Sequence, residues 1–133
     1  MKWDYEFDVV VIGSGNGALT SAICSHDGGA KTLVIEKSTQ FGGTSATSGG
    51  GVWIPNNRYA KAMNVDDSDQ DARDYINSVS PKGKIKDELV ETYLCEGPKM
   101  IDYLHENSQV KYRNLAHYPD YFPDNPGGKA GNR

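Results

Sequence analysis

Asp8-Val9-Val10-Val11-Ile12-Gly13-Ser14-Gly15-Asn16-Gly17-Ala18 is the stretch that decides the fold. Asp8 to Ile12 is β-branched and apolar without alternation, the pattern of a parallel strand buried on both faces. Glycines follow at once. Ala18-Leu19-Thr20-Ser21-Ala22-Ile23-Cys24 then sets Leu19, Ala22 and Ile23 on one face at the helical period. Gly28-Gly29 is a helix stop, and Thr32-Leu33-Val34-Ile35 is a second buried-type strand that ends at Glu36-Lys37. Strand, helix and strand in about thirty residues make a βαβ unit, right-handed and with parallel strands. The fold class is α/β.

The turn between the first strand and the helix carries chemistry. Gly13-x-Gly15-x-x-Ala18 follows a strand directly and opens a helix, the context in which a glycine loop binds a dinucleotide. Gly13 permits the tight turn, Gly15 lets the backbone approach a pyrophosphate, and Ala18 is small enough for close helix–sheet packing. The helix N-terminus adds free N–H groups and a positive dipole end. Glu36, about twenty residues beyond the loop, stands where a carboxylate accepts hydrogen bonds from the adenosine ribose hydroxyls. The same carboxylate would repel a 2′-phosphate, which disfavours NADP.

FAD and NAD both use such a cradle. An NAD domain would continue with a helix after the second strand, whereas this chain enters Phe41-Gly42-Gly43-Thr44-Ser45 and then Ser48-Gly49-Gly50-Gly51-Val52-Trp53. These small residues read either as a tether or as a backbone-lined surface along a long cofactor. Their bracketing by Phe41 and Trp53 favours the surface, and with it FAD over NAD.

Beyond residue 57 a mainly helical insertion is expected. Ser68 is an N-cap, with Asp69 and Asp71 near the positive helix end. Ala72, Tyr75, Ile76 and Val79 form a core stripe that Pro81 stops. A further helix starts near Lys86 with Leu89, Val90, Tyr93 and Leu94 on one side. Gly97-Pro98 interrupts it and Met100, Ile101 and Leu104 resume the stripe, giving two helices or one kinked helix. His105 reads as a surface residue and Val110 to Leu115 as a short strand. An aromatic, proline-rich loop, His117 to Pro123, follows.

Composition narrows the function classes. A net charge of −4 with mixed signs gives no nucleic-acid footprint. Mean hydropathy is −0.63, and no stretch approaches the roughly 20 apolar residues of a membrane span. Met1 to Glu6 lacks the apolar core of a signal peptide and is too acidic for a mitochondrial transit peptide. Cys24 and Cys95 have no metal-ligand spacing; Cys24 is expected to be a buried small hydrophobe. Two unpatterned cysteines suit a reducing, cytoplasmic setting.

Val11-Ile12-Gly13-Ser14-Gly15, Ile35-Glu36-Lys37 and Gly42-Gly43-Thr44-Ser45-Ala46-Thr47-Ser48-Gly49-Gly50 together resemble the fumarate reductase/succinate dehydrogenase flavoprotein superfamily. Phe41 to Ser45, Trp53-Ile54-Pro55-Asn56-Asn57 and Tyr118-Pro119-Asp120-Tyr121-Phe122 are similar to its 3-ketosteroid Δ1-dehydrogenase branch. The resemblance implies FAD, a ketosteroid-like substrate dehydrogenated between C1 and C2, and a separate electron acceptor. It implies a pyrophosphate held at Gly13, Ser14, Gly15, Gly17 and Ala18, and a ribose at Glu36 beside Lys37. Gly42, Gly43, Thr44, Ser45, Ser48, Gly49 and Gly50 would line the rest of the cofactor. Tyr121 matches the substrate-side tyrosine that assists proton abstraction, while Phe122 replaces a second tyrosine often found there.

The resemblance also makes this chain about the first quarter of a longer protein whose catalytic domain is absent here. Residues 1–57 would be the cradle and flavin-lining loops, and 58–133 the helical insertion with the substrate-side loop. The strand count agrees, because two buried-type strands leave a Rossmann-like sheet incomplete where about five are usual. Two alternatives stay open: a fumarate or enoate reductase fragment, and a truncated product without enzymatic function.

Overall fold

The computed structural model describes residues 2–131 and 133. The chain divides between Val52 and Trp53 into two compact units.

In the first unit, strand β1 (Val9–Ile12) leads into helix α1 (Asn16–Asp27), and strand β2 (Thr32–Ile35) returns parallel to β1. The register pairs Val9 with Thr32 and Ile12 with Ile35. Asp8 fixes the entry to this ladder. Its N–H donates to the Lys31 carbonyl at 3.0 Å, and its carboxylate accepts from the Lys31 N–H at 2.8 Å. Gly28 caps α1, and Gly29 adopts φ +88°, so the helix stops where the glycine pair is expected to stop it.

Side chains alternate across a strand, so α1 can cover only one face of this sheet. Val11 is buried, whereas Ile12 on the opposite face is 82% exposed and Val10 is exposed too. The α/β reading with an incomplete sheet therefore holds, and within the first unit these strands keep an exposed apolar face. Cys24 corrects an expectation: it is exposed. With only two strands beneath it α1 buries no residue, and Cys24 lies beside the Leu19, Ala22 and Ile23 face, not within it.

The second unit is helical, with α3 (Arg58–Ala62), α4 (Asp69–Val79) and α5 (Asp87–Asn107); a short α2 (Gly43–Ala46) precedes it in the first unit. Asn57 caps α3 by accepting from the N–H groups of Tyr59 and Ala60, and donates back to the Ile54 carbonyl at 2.7 Å. Ser68 caps α4 as expected, accepting from the Asp71 N–H at 3.0 Å. Ala72, Val90 and Leu94 form the core, with Trp53 and Ile76 packed against it.

Helix α5 runs unbroken through Gly97-Pro98, which settles the choice left open for this segment in favour of one helix. An interior proline costs a helix about 3 kcal/mol. Burial of Val90 and Leu94 before it, and of Ile101 and Leu104 after it, offsets that cost. Gly97 is buried against Ile54, where a Cβ would stand 3.3 Å from two of the isoleucine carbons.

Two further expectations are corrected. Residues 110–115 are not a strand; a lone extended segment has no ladder partner among the described residues. His105 is half-buried rather than a plain surface residue: its Nδ1 lies 2.5 Å from the Tyr59 hydroxyl, edge to face with that ring.

Candidate cofactor site

The strand ladder delivers the glycine loop. The Gly13 N–H donates to the Ile35 carbonyl at 2.7 Å, one residue past the end of β1. Gly13 then turns at φ +94°, a conformation that residues with a Cβ rarely adopt. Ser14, 3% exposed, follows it into the interior.

The Ser14 hydroxyl joins three segments. It donates to Glu36 Oε2 at 2.6 Å and accepts from the Gly42 N–H at 2.8 Å. The Ser38 N–H donates to Glu36 Oε1 at 3.0 Å. The Ser14 hydroxyl first, and then the Ser38 amide, hold the Glu36 carboxyl below its ordinary value of 4.5. Glu36 is thus ionised at neutral pH. Each of its oxygens is steadied by one donor and keeps lone-pair capacity for another.

The opening of α1 suits an anion. Its N-cap, Gly15, has no side chain with which to satisfy the first-turn N–H groups. The Asn16 N–H donates to Ser45 Oγ at 3.1 Å, so an oxygen acceptor already stands at this positive end. A Cβ built on Gly15 would meet only that Ser45 oxygen, at 3.5 Å, and one on Gly17 would meet nothing within 4 Å. Among the described residues only the Ser45 side chain stands against Gly15 and none stands against Gly17, so the residues present fit a dinucleotide.

Gly42 adopts φ +102°, and a Cβ there would lie 2.6 Å from the Ala46 Cβ. Both facts restrict this position to glycine, and the turn it makes starts α2. The structure thus brings together Gly13, Ser14, Gly15, Gly17, Ala18, Glu36, Gly42 and Ser45. Ser48 accepts from the Gly50 N–H at 3.1 Å, within its own turn. Among the described residues, none of the hydrogen bonds of Ser48, Gly49 or Gly50 reaches the glycine loop. Lys37 is exposed beside Glu36.

Residues 8–131 match the FAD binding domain family. The chain belongs to that family. FAD is its cofactor, and the NAD alternative falls away. The domain is 39% identical over 128 residues to 3-oxosteroid 1-dehydrogenase of Mycobacterium tuberculosis, which covers 96% of this chain and 23% of the relative. It is also 39% identical over 127 residues to 4-oxocyclohexanecarboxylate 2-dehydrogenase of Sinomonas cyclohexanicum, covering 96% and 22%. Among solved structures it is similar to 3-ketosteroid Δ1-dehydrogenase of Sterolibacterium denitrificans in complex with 1,4-androstadiene-3,17-dione. That likeness has a TM-score of 0.87 at 42% identity, over 96% of this chain and 22% of the other. The FAD binding domain described here therefore spans less than a quarter of the length of these relatives. Among the described residues no helix is long and apolar enough to cross a membrane.

The second unit holds Tyr121, which is 85% exposed. The residue beside it, given no role of its own in that motif, organises the loop. Asp120 is buried and accepts from Trp53 Nε1 at 2.7 Å, the Lys129 N–H at 2.9 Å and Arg133 Nη1 at 2.9 Å. Arg133 in turn bonds Asp67 at 2.6 Å, with both side chains 1% exposed, and lies over the rings of Trp53 and Tyr75. The available signal was a lone carboxylate inside an aromatic and proline segment. Its partners Trp53, Arg133 and Lys129 lie 67, 13 and 9 residues away, too far apart for spacing to reveal.

Proposed function

We propose that this chain is the FAD-binding N-terminal part of a flavoenzyme that dehydrogenates the carbon–carbon bond next to a ring ketone, with a 3-ketosteroid as substrate. The loop at Gly13–Ala18, tied by Ser14 to an ionised Glu36 in a chain so similar to 3-oxosteroid 1-dehydrogenase, carries this reading. When bound, FAD supplies a hydride acceptor, and a quinone-like compound is the proposed final electron acceptor.

Each residue has a proposed task. The turn at Gly13 presents the loop, and backbone N–H groups of Ser14, Gly15, Gly17 and Ala18 bind the pyrophosphate at the positive end of α1. Glu36 accepts hydrogen bonds from the adenosine ribose hydroxyls, with Lys37 beside it. Gly42, Gly43, Thr44, Ser45, Ser48, Gly49 and Gly50 line the ribityl and flavin side, with residues 1–57 as the cradle and 58–133 as the insertion that carries Tyr121. The Tyr121 hydroxyl assists removal of a proton beside the substrate ketone. Asp120 fixes the loop backbone next to it. Two free, exposed thiols support a reducing, cytoplasmic setting.

The identity to 4-oxocyclohexanecarboxylate 2-dehydrogenase favours a second reading, in which the substrate is a single-ring keto acid. Both readings share the chemistry and differ in the ring system. The test is to express the complete reading frame containing these residues and assay it with a dye acceptor. The arms are a 3-ketosteroid, 4-oxocyclohexanecarboxylate and, in the reductive direction, fumarate. Turnover of the steroid alone supports the first reading, and turnover of the small keto acid alone supports the second. Fumarate reduction alone, or a protein that never retains flavin, refutes both.

A further inference from the structure

We propose that Ser14 is a positioning residue that couples the adenosine-side carboxylate Glu36 to the flavin-side turn at Gly42, so that one hydroxyl sets both halves of the cradle. The inference rests on the reading of Glu36 as the ribose acceptor.

An amide N–H can only donate, so the Gly42 N–H, 2.8 Å away, uses an acceptor site on Ser14 Oγ. The hydroxyl proton is then directed to Glu36 Oε2, 2.6 Å away. The chain Gly42 N–H to Ser14 O–H to Glu36 carboxylate runs one way, and each bond polarises the next. Ser14 is 3% exposed, so water has little room to replace the hydroxyl on either side. The three groups come from separate segments, 22 and 28 residues from Ser14. No local rule of turn or strand brings them together. Gly42 is held at φ +102°, and in that turn its N–H points at Ser14 Oγ.

Coupling has a consequence that loop support alone lacks. Ser14 is the largest influence holding the Glu36 carboxyl low. Without the hydroxyl, Glu36 protonates at a higher pH and loses acceptor capacity toward the ribose. Cofactor affinity would then fall earlier on acidification.

The experiment measures FAD dissociation constants from pH 4 to pH 8, a range that spans the ordinary carboxylate values. It uses apoprotein from the complete reading frame as wild type, Ser14→Ala, Ser14→Cys and Glu36→Gln. The thiol is a near-isosteric weaker donor, so Ser14→Cys keeps the test available if the alanine variant does not fold. Loss of a hydrogen bond to a charged group predicts that Ser14→Ala binds FAD about tenfold more weakly at pH 7. Its acid limb moves to higher pH, with Ser14→Cys in between. Glu36→Gln weakens binding and has no such limb. An unchanged FAD affinity in both Ser14 variants overturns the proposal. So does weaker binding with the acid limb unmoved, which marks Ser14 as loop support only. An unchanged affinity in Glu36→Gln refutes the ribose reading itself, and that outcome is separate from either failure of Ser14.

Discussion

Gly15→Ala separates what the chain requires from what its cofactor requires. Gly15 sits at φ −72° and ψ 175°, extended backbone open to any L-residue, so the substitution brings no conformational strain. The new methyl meets only Ser45 Oγ at 3.5 Å, an ordinary contact. The remaining cost to the apoprotein is the poorer N-capping of alanine relative to glycine, at most about 1 kcal/mol. For the bound state the space is no longer free. A methyl between the loop backbone and a pyrophosphate displaces the phosphate from its N–H donors. Losing one hydrogen bond to a charged group costs about 1.5–3 kcal/mol, or about 10- to 100-fold in affinity. The assay pairs urea unfolding of the apoprotein with FAD titration, both on the product of the complete reading frame. Near-normal apoprotein stability with strongly weakened FAD binding is expected. Unchanged FAD affinity would refute a pyrophosphate seated on Gly15, and a collapse of apoprotein stability would refute the claim that the space is free of protein.

Gly42→Ala is expected to behave oppositely, destabilising the apoprotein by at least about 1–2 kcal/mol from its left-handed backbone alone, before the 2.6 Å clash with Ala46 is added; urea midpoints measure this. Asp120→Ala leaves the buried Arg133 with only one of its two carboxylate partners and the Trp53 N–H without an acceptor. Breaking such a buried pair costs about 3–5 kcal/mol, read as a lowered unfolding midpoint, and turnover is expected to fall with flavin content retained. Ser68→Ala removes the cap of α4 and should cost about 1 kcal/mol. The Ser68 hydroxyl, and then Lys129, also hold the Asp71 carboxyl below its ordinary 3.8. Asp71 is depressed on folding, so its contribution is full above that value and is lost as pH falls through the lower folded one. Unfolding midpoints measured across that range should decline on acidification in the wild type, and less so in Ser68→Ala.

Local pattern made the cradle legible. The unbroken apolar run before Gly13, the helical spacing of Leu19, Ala22 and Ile23, and an acid at the end of the second strand each report on neighbours in sequence. For that reason β1, α1 and β2 stand where the sequence puts them, and Ser68 caps α4. The structure departs from the sequence pattern where neighbours are distant. Cys24 reads as a small buried hydrophobe beside Ala22 and Ile23 in a helix, yet it stands exposed. Pro98 marked a break that burial of α5 overrides, and 110–115 had strand-like residues but no ladder to join.

By itself the sequence determined a parallel βαβ element with a glycine loop after its first strand and an acid after its second, because dihedral preference, side-chain period and glycine placement act over a few residues. Its strands are apolar on both faces, and Ile12 stands exposed. Only the tertiary structure decided that Ser14 joins Glu36 to Gly42, that Ser45 stands at the mouth of α1, and that Asp120 anchors the loop bearing Tyr121. Those pairings span 13 to 67 residues. A hydrogen bond at such a separation depends on where packing sets two backbones, which no local spacing encodes.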